Sequence, residues 1–519
     1  MVAAGILLSR IVGLIRQRVL AHFLATSDAA DAFAAAFRIP NLLQNLFGEG
    51  ALSASFIPVY ASLLAHDDRK EAGRVAAAVG GLLALAMSVL VLAGVLATPV
   101  LIDLIAPGFE GEKRLLAIRL VRILFPGAGL LVLSAWCLGI LNSHRKFFLS
   151  YAAPVIWNVA IIAALFVAGG RQGQYGLAVV AAWASVAGSA LQVIVQLPTV
   201  LSVAQELRPS LGLASESVRT VVRNFMPTFM SRGVVQISAY VDALLASLLP
   251  TGAVAALAYA QTLYTLPVSL FGMSVSAAEL PAMSSVTGNA EEVAAKLRAR
   301  LDHGLRQIAF YIVPSAMAFA TLGQILAAAL FQSGAFTRHD SFYVWGILAG
   351  ASIGLLAGTM GRLYASGFYA LRDTRTPLRY AVLRVVLTTV LGYLAAIPLP
   401  GLLGVPARWG VAGLTASAGV AGWVEFALLR RGLNRRIGTT GLDAGFTGRL
   451  WAAAALAALA GGGLALWVPR NQHPILLAVI VIGVYGGVYF SMASMLGVAE
   501  AGVFRRRFSQ LRGRRGGTQ

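Results

Sequence analysis

The chain has 519 residues, 58% hydrophobic and 12% charged, where an ordinary soluble protein carries about 25% charged residues. So few charges cannot cover a globular surface, which excludes a soluble domain and leaves a polytopic membrane protein. The net charge of +20 belongs to membrane loops and not to nucleic-acid binding, because basic residues gather in the loops on one side of the predicted spans.

Apolar stretches of about 20 residues, each long enough to cross the hydrocarbon, recur from end to end. Rich in Leu, Ala, Val and Gly, they predict helices and not the alternating strands of a barrel. Fourteen spans are predicted, near 2–24, 31–62, 76–104, 117–141, 149–169, 176–202, 225–249, 253–283, 307–331, 341–369, 379–399, 408–429, 450–468 and 475–498. The first, within MVAAGILLSRIVGLIRQ, is broken by Arg10 and shows no small-residue cleavage site, so it reads as a spanning helix and not as a cleaved signal. It also carries Arg16 and Arg18.

The second span, DAFAAAFRIPNLLQNLFGEGALSASFIP, sets Asp31, Arg38 and Glu49 in an apolar run. Such groups survive at membrane depth only when paired, buried in protein or facing water. Asp31 and Arg38 are seven apart and share a helical face. Pro40 cannot donate a backbone hydrogen bond, so a break or kink is expected there, with carbonyls freed beside Arg38. Gly48-Glu49-Gly50 predicts a second flexible point. These features predict a hydrated cavity wall with a cationic balance. An anionic headgroup is its natural occupant, because the arginine fork fits phosphate oxygens. The competing reading is structural pairing of Arg10 and Arg16 with Asp31 or Glu49.

Later spans are less charged: Arg232 and Asp242 on the seventh, Glu279 on the eighth, Arg362 on the tenth, Arg384 on the eleventh and Glu425 on the twelfth. A buried pair is the expectation for each, and Asp242 is also a candidate ion or proton site. Spans 13 and 14 are nearly free of charge. They are either helices packed on the bundle or a greasy surface for a lipid chain. A lone cysteine, Cys137, excludes an intrachain disulfide, and the scattered histidines make no metal-ligand spacing. There is no nucleotide-binding P-loop and no catalytic constellation. The expectation is a transporter without a cofactor, driven by the membrane potential or a monovalent cation.

Loops after even-numbered spans are basic, with Arg69, Lys70 and Arg74, then Arg145 and Lys146, Arg208 and Arg219, Lys296, Arg298 and Arg300, Arg372 and Arg375, and Arg430, Arg431, Arg435 and Arg436. Loops after odd-numbered spans hold few: Lys113, Arg114, Arg171, Arg338 and Arg470. The positive-inside rule then places both termini in the cytoplasm. An internal repeat pairs Ser9-Arg10 with Ser231-Arg232, LFG at 46–48 with LFG at 270–272, and Pro58 with Pro281, at offsets of 222, 224 and 223. Six spans separate the copies, so both halves enter the membrane in the same sense, as in transporters built from parallel repeats. The expected domains are an N-terminal lobe at 1–203, a C-terminal lobe at 221–430, a lipid-tail groove at 447–499 and a basic cytoplasmic tail at 500–519 facing anionic lipid.

SRIVGLIRQ at 9–17, DAFAAAFRIPNLL at 31–43 and FGEGALSASFIPV at 47–59 resemble the opening of the MurJ (MviN) lipid II flippases. APGF at 106–109, LNSHRKF at 141–147, APVIWN at 153–158, FQSGAFT at 331–337 and GFYALRDTRTP at 367–377 continue the likeness in order. The resemblance implies an all-α fold of fourteen transmembrane helices, of the multidrug/oligosaccharidyl-lipid/polysaccharide exporter type. It implies two six-helix lobes around a cationic cavity and a tail groove from the last two helices. The implied activity is flipping of the undecaprenyl-diphosphate-linked peptidoglycan precursor at the bacterial inner membrane. Implied partners are lipid II or a related glycolipid, membrane lipids and cell-wall synthesis proteins.

The family's basic positions in helix 1 fall on Arg10 and Arg16, and its acid, base and acid in helix 2 on Asp31, Arg38 and Glu49. Two positions depart. Gln44 stands where many members have a cavity arginine, and Thr262 stands at another, with Arg232 as the compensating base. The sodium site of some members matches at Asp242, but helix 11 offers Thr388 and Gly392. The rivals are a flippase for another polyprenyl-diphosphate-linked oligosaccharide, a cation-coupled drug exporter and a non-transporting membrane scaffold.

Overall fold

The computed structural model describes residues 2–204, 215–468 and 472–502, with backbone alone at 2–4, 6, 49, 50, 227, 228 and 230–239. The arginines of the tail, with Arg208 and Arg470, therefore lie outside the described residues. Among those described, helices joined by turns and loops make up the structure, and the β structure is one bridge between Ser333 and Phe336. The chain divides into two compact units, Met1–Ala255 with Ser333–Thr337, and Ala256–Gln332 with Arg338–Gln519.

The first unit contains α1 (Val2–Leu24), α2 (Asp28–Phe47), α3 (Glu49–Ala65), α4 (Arg69–Leu96), α5 (Thr98–Ile105), α6 (Gly111–Ser143), α7 (Phe147–Ala168), α8 (Gln174–Val203) and α9 (Glu216–Ser247). Side-chain caps fix where several begin: Ser27 accepts from Ala30 N–H at the start of α2, Asp68 from Glu71 at α4, and Ser215 from Val218 at α9. Helix α6 is the spine, with α2, α3, α4 and α8 along it, and α7 packs on α1 and α8. Phe56 and Tyr60 of α3 meet Val75 and Val79 of α4 and Val132 and Ile140 of α6 in one apolar core. Helix α9 packs on α2, α3 and α4.

The second predicted span is interrupted, but not where proline suggested. Helix α2 runs unbroken through Pro40 and ends at Gly48, after which α3 starts at once. The chain is therefore not broken at Pro40, and the bend falls at Gly48, the second point expected. Gly48 N–H still closes on the Gln44 carbonyl at 2.7 Å. A Cβ on Gly48 would fall on that same carbonyl oxygen, so only glycine fits without a shift.

The second unit contains most of α10 (Ala253–Pro267), a π-helical turn (Val268–Met273), α11 (Ser274–Ser284), α12 (Ala290–Phe331), α13 (Arg338–Ala370), α14 (Arg375–Ala396), α15 (Pro398–Leu402), α16 (Gly410–Ile437), α17 (Ala444–Trp467) and α18 (Pro474–Met495). The second LFG, 270–272, lies in the π turn. The first copy thus ends a helix at Gly48, and the second sits in a π-helical turn of a helix that continues through it. Helix α13 packs between α12 and α16. Gly354 and Gly419 make the α13–α16 approach possible, since a Cβ on either would strike the other's backbone.

The α17–α18 pair packs on α12. Pro314 sits inside α12 and has no N–H for the Phe310 carbonyl. The Tyr489 hydroxyl donates to that carbonyl at 2.6 Å, and Tyr485 donates to the Pro314 carbonyl at 2.6 Å. Residues on the far side of the pair are bare: Leu459 is 73% exposed and Leu466 84%. Water would penalise that surface and acyl chains would not.

Eleven helices among the described residues are long and apolar enough to cross a membrane. Helix α1, the interrupted α2–α3 pair and α9 carry charges in their spans and complete the fourteen crossings expected.

Candidate functional site

The charges of α1 and α2 are treated very differently by their surroundings. Arg10 is exposed. Arg16, six residues on, is half-buried. Its guanidinium carbon lies 4.7 Å from the Trp157 ring centre and 5.4 Å from that of Phe37. Phe33, Phe37 and Trp157 form a continuous stack, at 5.5 and 5.7 Å between centroids. The Trp157 indole is itself fixed by donating to the Ser185 carbonyl at 3.1 Å. The arginine is thus held by aromatic faces, which attract the cation without consuming its hydrogen-bond donors. Its Nε has no hydrogen-bond partner among the described residues. A planar fork held this way retains its capacity for phosphate oxygens.

Arg38 lies two residues before Pro40, and its carbonyl accepts from the Tyr240 hydroxyl of α9 at 2.7 Å. Asp242 of the same helix is close enough to act electrostatically on the Arg38 guanidinium. Arg38 and Asp242, separate expectations in the sequence, are therefore neighbours in the fold.

Asp31 is fully buried. One carboxylate oxygen accepts from Lys113 Nζ at 2.6 Å and from Gly252 N–H at 2.8 Å, and the other from Ala255 N–H at 2.7 Å. Lys113 also reaches Asp28 at 3.1 Å and lies 4.5 Å from the Phe109 ring centre. Thr251 donates to Asp28 at 2.9 Å. Both Asp31 oxygens are engaged, so its contacts define a capping acid for residues 252–255, where the first N–H groups of α10 lack helical acceptors. Neither Arg10 nor Arg16 is its cation. Lys113 is, and it stood in the sequence only as one of the few basic residues on the outer loops.

The side chains of Glu49 and Arg232 lie outside the described residues; their backbones begin α3 and run within α9. Thr262 turns its hydroxyl back to the Ala258 carbonyl at 3.0 Å. Thr388 and Gly392 are buried in α14, and the described residues hold no cluster of His, Cys, Asp and Glu suited to a metal.

A family model described as "Lipid II flippase MurJ" matches residues 20–486. The chain belongs to the lipid II flippase MurJ family. A Burkholderia cenocepacia protein named "Lipid II flippase MurJ" is 33% identical, over 96% of this chain and 97% of its own. A "Probable lipid II flippase MurJ" of Rhizobium tropici is 31% identical over 97% and 95%. Among solved structures, "Lipid II flippase MurJ, inward closed conformation" aligns with a TM-score of 0.76 at 23% identity, covering 95% of this chain and 98% of that one. An inward-facing multidrug resistance MATE family transporter of the MOP superfamily aligns with a TM-score of 0.64 at 17% identity. These two show the shared fold. The family is one of transporters, not enzymes, and this MurJ-family chain is a multi-pass protein of the inner membrane.

Proposed function

We propose that the chain carries lipid II from the inner to the outer leaflet of the cytoplasmic membrane by alternating access. The observation that carries this reading is Arg16, a span arginine braced by Phe37 and Trp157 with its Nε uncommitted, inside a chain of the MurJ family. Arg10, Arg16 and Arg38 attract the diphosphate, with Glu49 and Arg232 completing the polar lining. The six-helix lobes at 1–203 and 221–430 rock about the headgroup. The polyprenyl tail stays in lipid against 447–499, where α17 and α18 offer bare leucines.

Asp242, near Arg38, is the group through which a monovalent cation or the membrane potential biases the cycle. Both termini lie in the cytoplasm, and cell-wall synthesis proteins are the expected partners. Gln44 and Thr262, uncharged where many members carry arginine, favour one second reading: a flippase for another polyprenyl-diphosphate-linked oligosaccharide.

Complementation tests the proposal. The chain is expressed in bacteria depleted of their own lipid II flippase, and lysis and outward lipid II exposure are followed. The wild type rescues, and Arg10→Ala and Arg16→Ala do not. Failure of a well-inserted wild type would move the assignment to the second reading.

A further inference from the structure

Two adjoining hollows of about 410 and 420 Å³ lie on the surface of the first unit between α6 and α8, and they share Leu115 and Arg119. Together they make one groove. Its walls are apolar and aromatic, with Tyr175 41% and Trp183 58% exposed. Arg119 and Arg122 point along it, both exposed. They stand 8 and 11 residues beyond the start of α6, so about 12 and 16 Å along the helix axis.

Neither guanidinium has an ion pair, hydrogen bond or aromatic partner among the described residues. That contrasts with Arg114 one turn earlier, which is paired to Asp103 at 2.7 Å. Glu112 lies at the groove's outer end, about 10 Å up the axis from Arg119. An arginine below the interface on a lipid-facing surface is costly until an anion or water reaches it. Residues three apart on a helix are neighbours, so the two forks can close on one phosphate. Trp183, nine residues into α8, lines the same hollow as both arginines, and Tyr175, at the start of α8 beside Glu112, is the kind of side chain that settles at the headgroup boundary.

We propose that this groove is a binding site for an acidic phospholipid, its phosphate gripped by Arg119 and Arg122 and one acyl chain lying over Leu115 and Trp183. A headgroup lacking an ammonium fits best, because two guanidiniums repel a cation. By the topology under Proposed function, on which this point rests, the lipid belongs to the outer leaflet. None of Arg10, Arg16 and Arg38 lines the groove, so the lipid is assigned as a bound component and not the cargo.

The test is native mass spectrometry of the full chain released from detergent, with phosphatidylglycerol or phosphatidylethanolamine added in equal amounts. The wild type retains one phosphatidylglycerol at least tenfold better than phosphatidylethanolamine. R119Q/R122Q loses that preference, R119K/R122K keeps part of it, and R114Q leaves it unchanged. Equal retention of the two lipids by the wild type overturns the site, whatever the variants do. So does undiminished phosphatidylglycerol preference in R119Q/R122Q. Displacement of phosphatidylglycerol by undecaprenyl diphosphate would overturn the assignment to phospholipid and name the transported lipid as occupant. None of these readouts requires flipping, so failure of the flippase reading and failure of this site are separable.

Discussion

At the scale of single residues, a charge takes its role from what its neighbours leave unsatisfied. Asp31 is consumed by Lys113 and two backbone N–H groups. Removing the cation from a buried pair strands the other charge, at about 3–5 kcal/mol. Lys113→Met should therefore lower the thermal unfolding midpoint sharply, and adding Asp31→Asn should recover much of the loss; a double variant no better than the single would show that the pair is not coupled. Arg16 is held by aromatic faces, each contact contributing about 0.5–2 kcal/mol. Trp157→Leu keeps the charge but releases its orientation, so flipping should fall several-fold while the protein stays folded; an unchanged rate would remove the aromatic brace from the mechanism. Asp373, in the loop before α14, accepts from the Thr376 hydroxyl at 2.6 Å, the Thr376 N–H at 3.0 Å and Arg436 at 2.6 Å. These bonds, the Thr376 hydroxyl's first, hold its carboxyl well below the usual carboxylate range. A depressed folded pKa stabilises above the unfolded value of 3.8 and is lost as pH falls through the folded one. Amide protection at the start of α14, measured relative to the intrinsic exchange rate at each pH, should thus be flat from pH 7 to 5 and fall only below about 4, and Asp373→Asn should show lowered protection already at pH 7. Asp31 was legible as a costly acid, but its cation, 82 residues away, was not. Sequence spacing reports faces of one helix and is silent on which helices meet.

Elements repeat more faithfully than residues. The LFG copies are readable in the sequence, and both prove to be departures from regular α-helix, a helix end at Gly48 and a π turn at 268–273. The helix continues through Pro40, as it can when a neighbour or the solvent satisfies the freed groups, whereas Gly48 lacks the side chain that would block a bend. A second correspondence escapes the sequence altogether. Helices α6 and α13 both end on an arginine in the left-handed region, Arg145 at φ 59° and Arg372 at φ 59°. The next residue closes each helix, Lys146 N–H to Leu141 and Asp373 N–H to Phe368, at 2.8 and 2.9 Å. Glycine usually marks such an end, so arginine gives no signal to read. Asparagine tolerates that conformation and a β-branched residue does not. Arg372→Asn should leave the unfolding midpoint unchanged, and Arg372→Val should cost about 1–2 kcal/mol; equal midpoints would place the turn outside the folding unit. The tyrosines of α18 are likewise invisible until α12 is seen to offer them the carbonyls around Pro314.

For the whole molecule, the distribution of charge along the chain carries the topology. Fourteen crossings put the ends of the chain on one side, and the basic loops fall on that same side at every even-numbered span. Lysine and arginine resist translocation, so a wrong count would have exchanged the basic and poor loops partway along. Periodicity could not have supplied this, because these spans are apolar on most faces and the repeat alone fixes only relative sense. Alkaline phosphatase folds to activity outside the cytoplasm, and green fluorescent protein fluoresces only when folded inside. Fused after Gln519, green fluorescent protein should shine and phosphatase should be silent. Phosphatase inserted between Ala106 and Gly111, the turn joining α5 to α6, should be active. The same pair of fusions fixes the leaflet that Arg119 and Arg122 face, since both stand a few turns below that turn. An active phosphatase at residue 519 would invert the molecule. It would put the two guanidiniums in the inner leaflet and give the groove between α6 and α8 a cytoplasmic phospholipid.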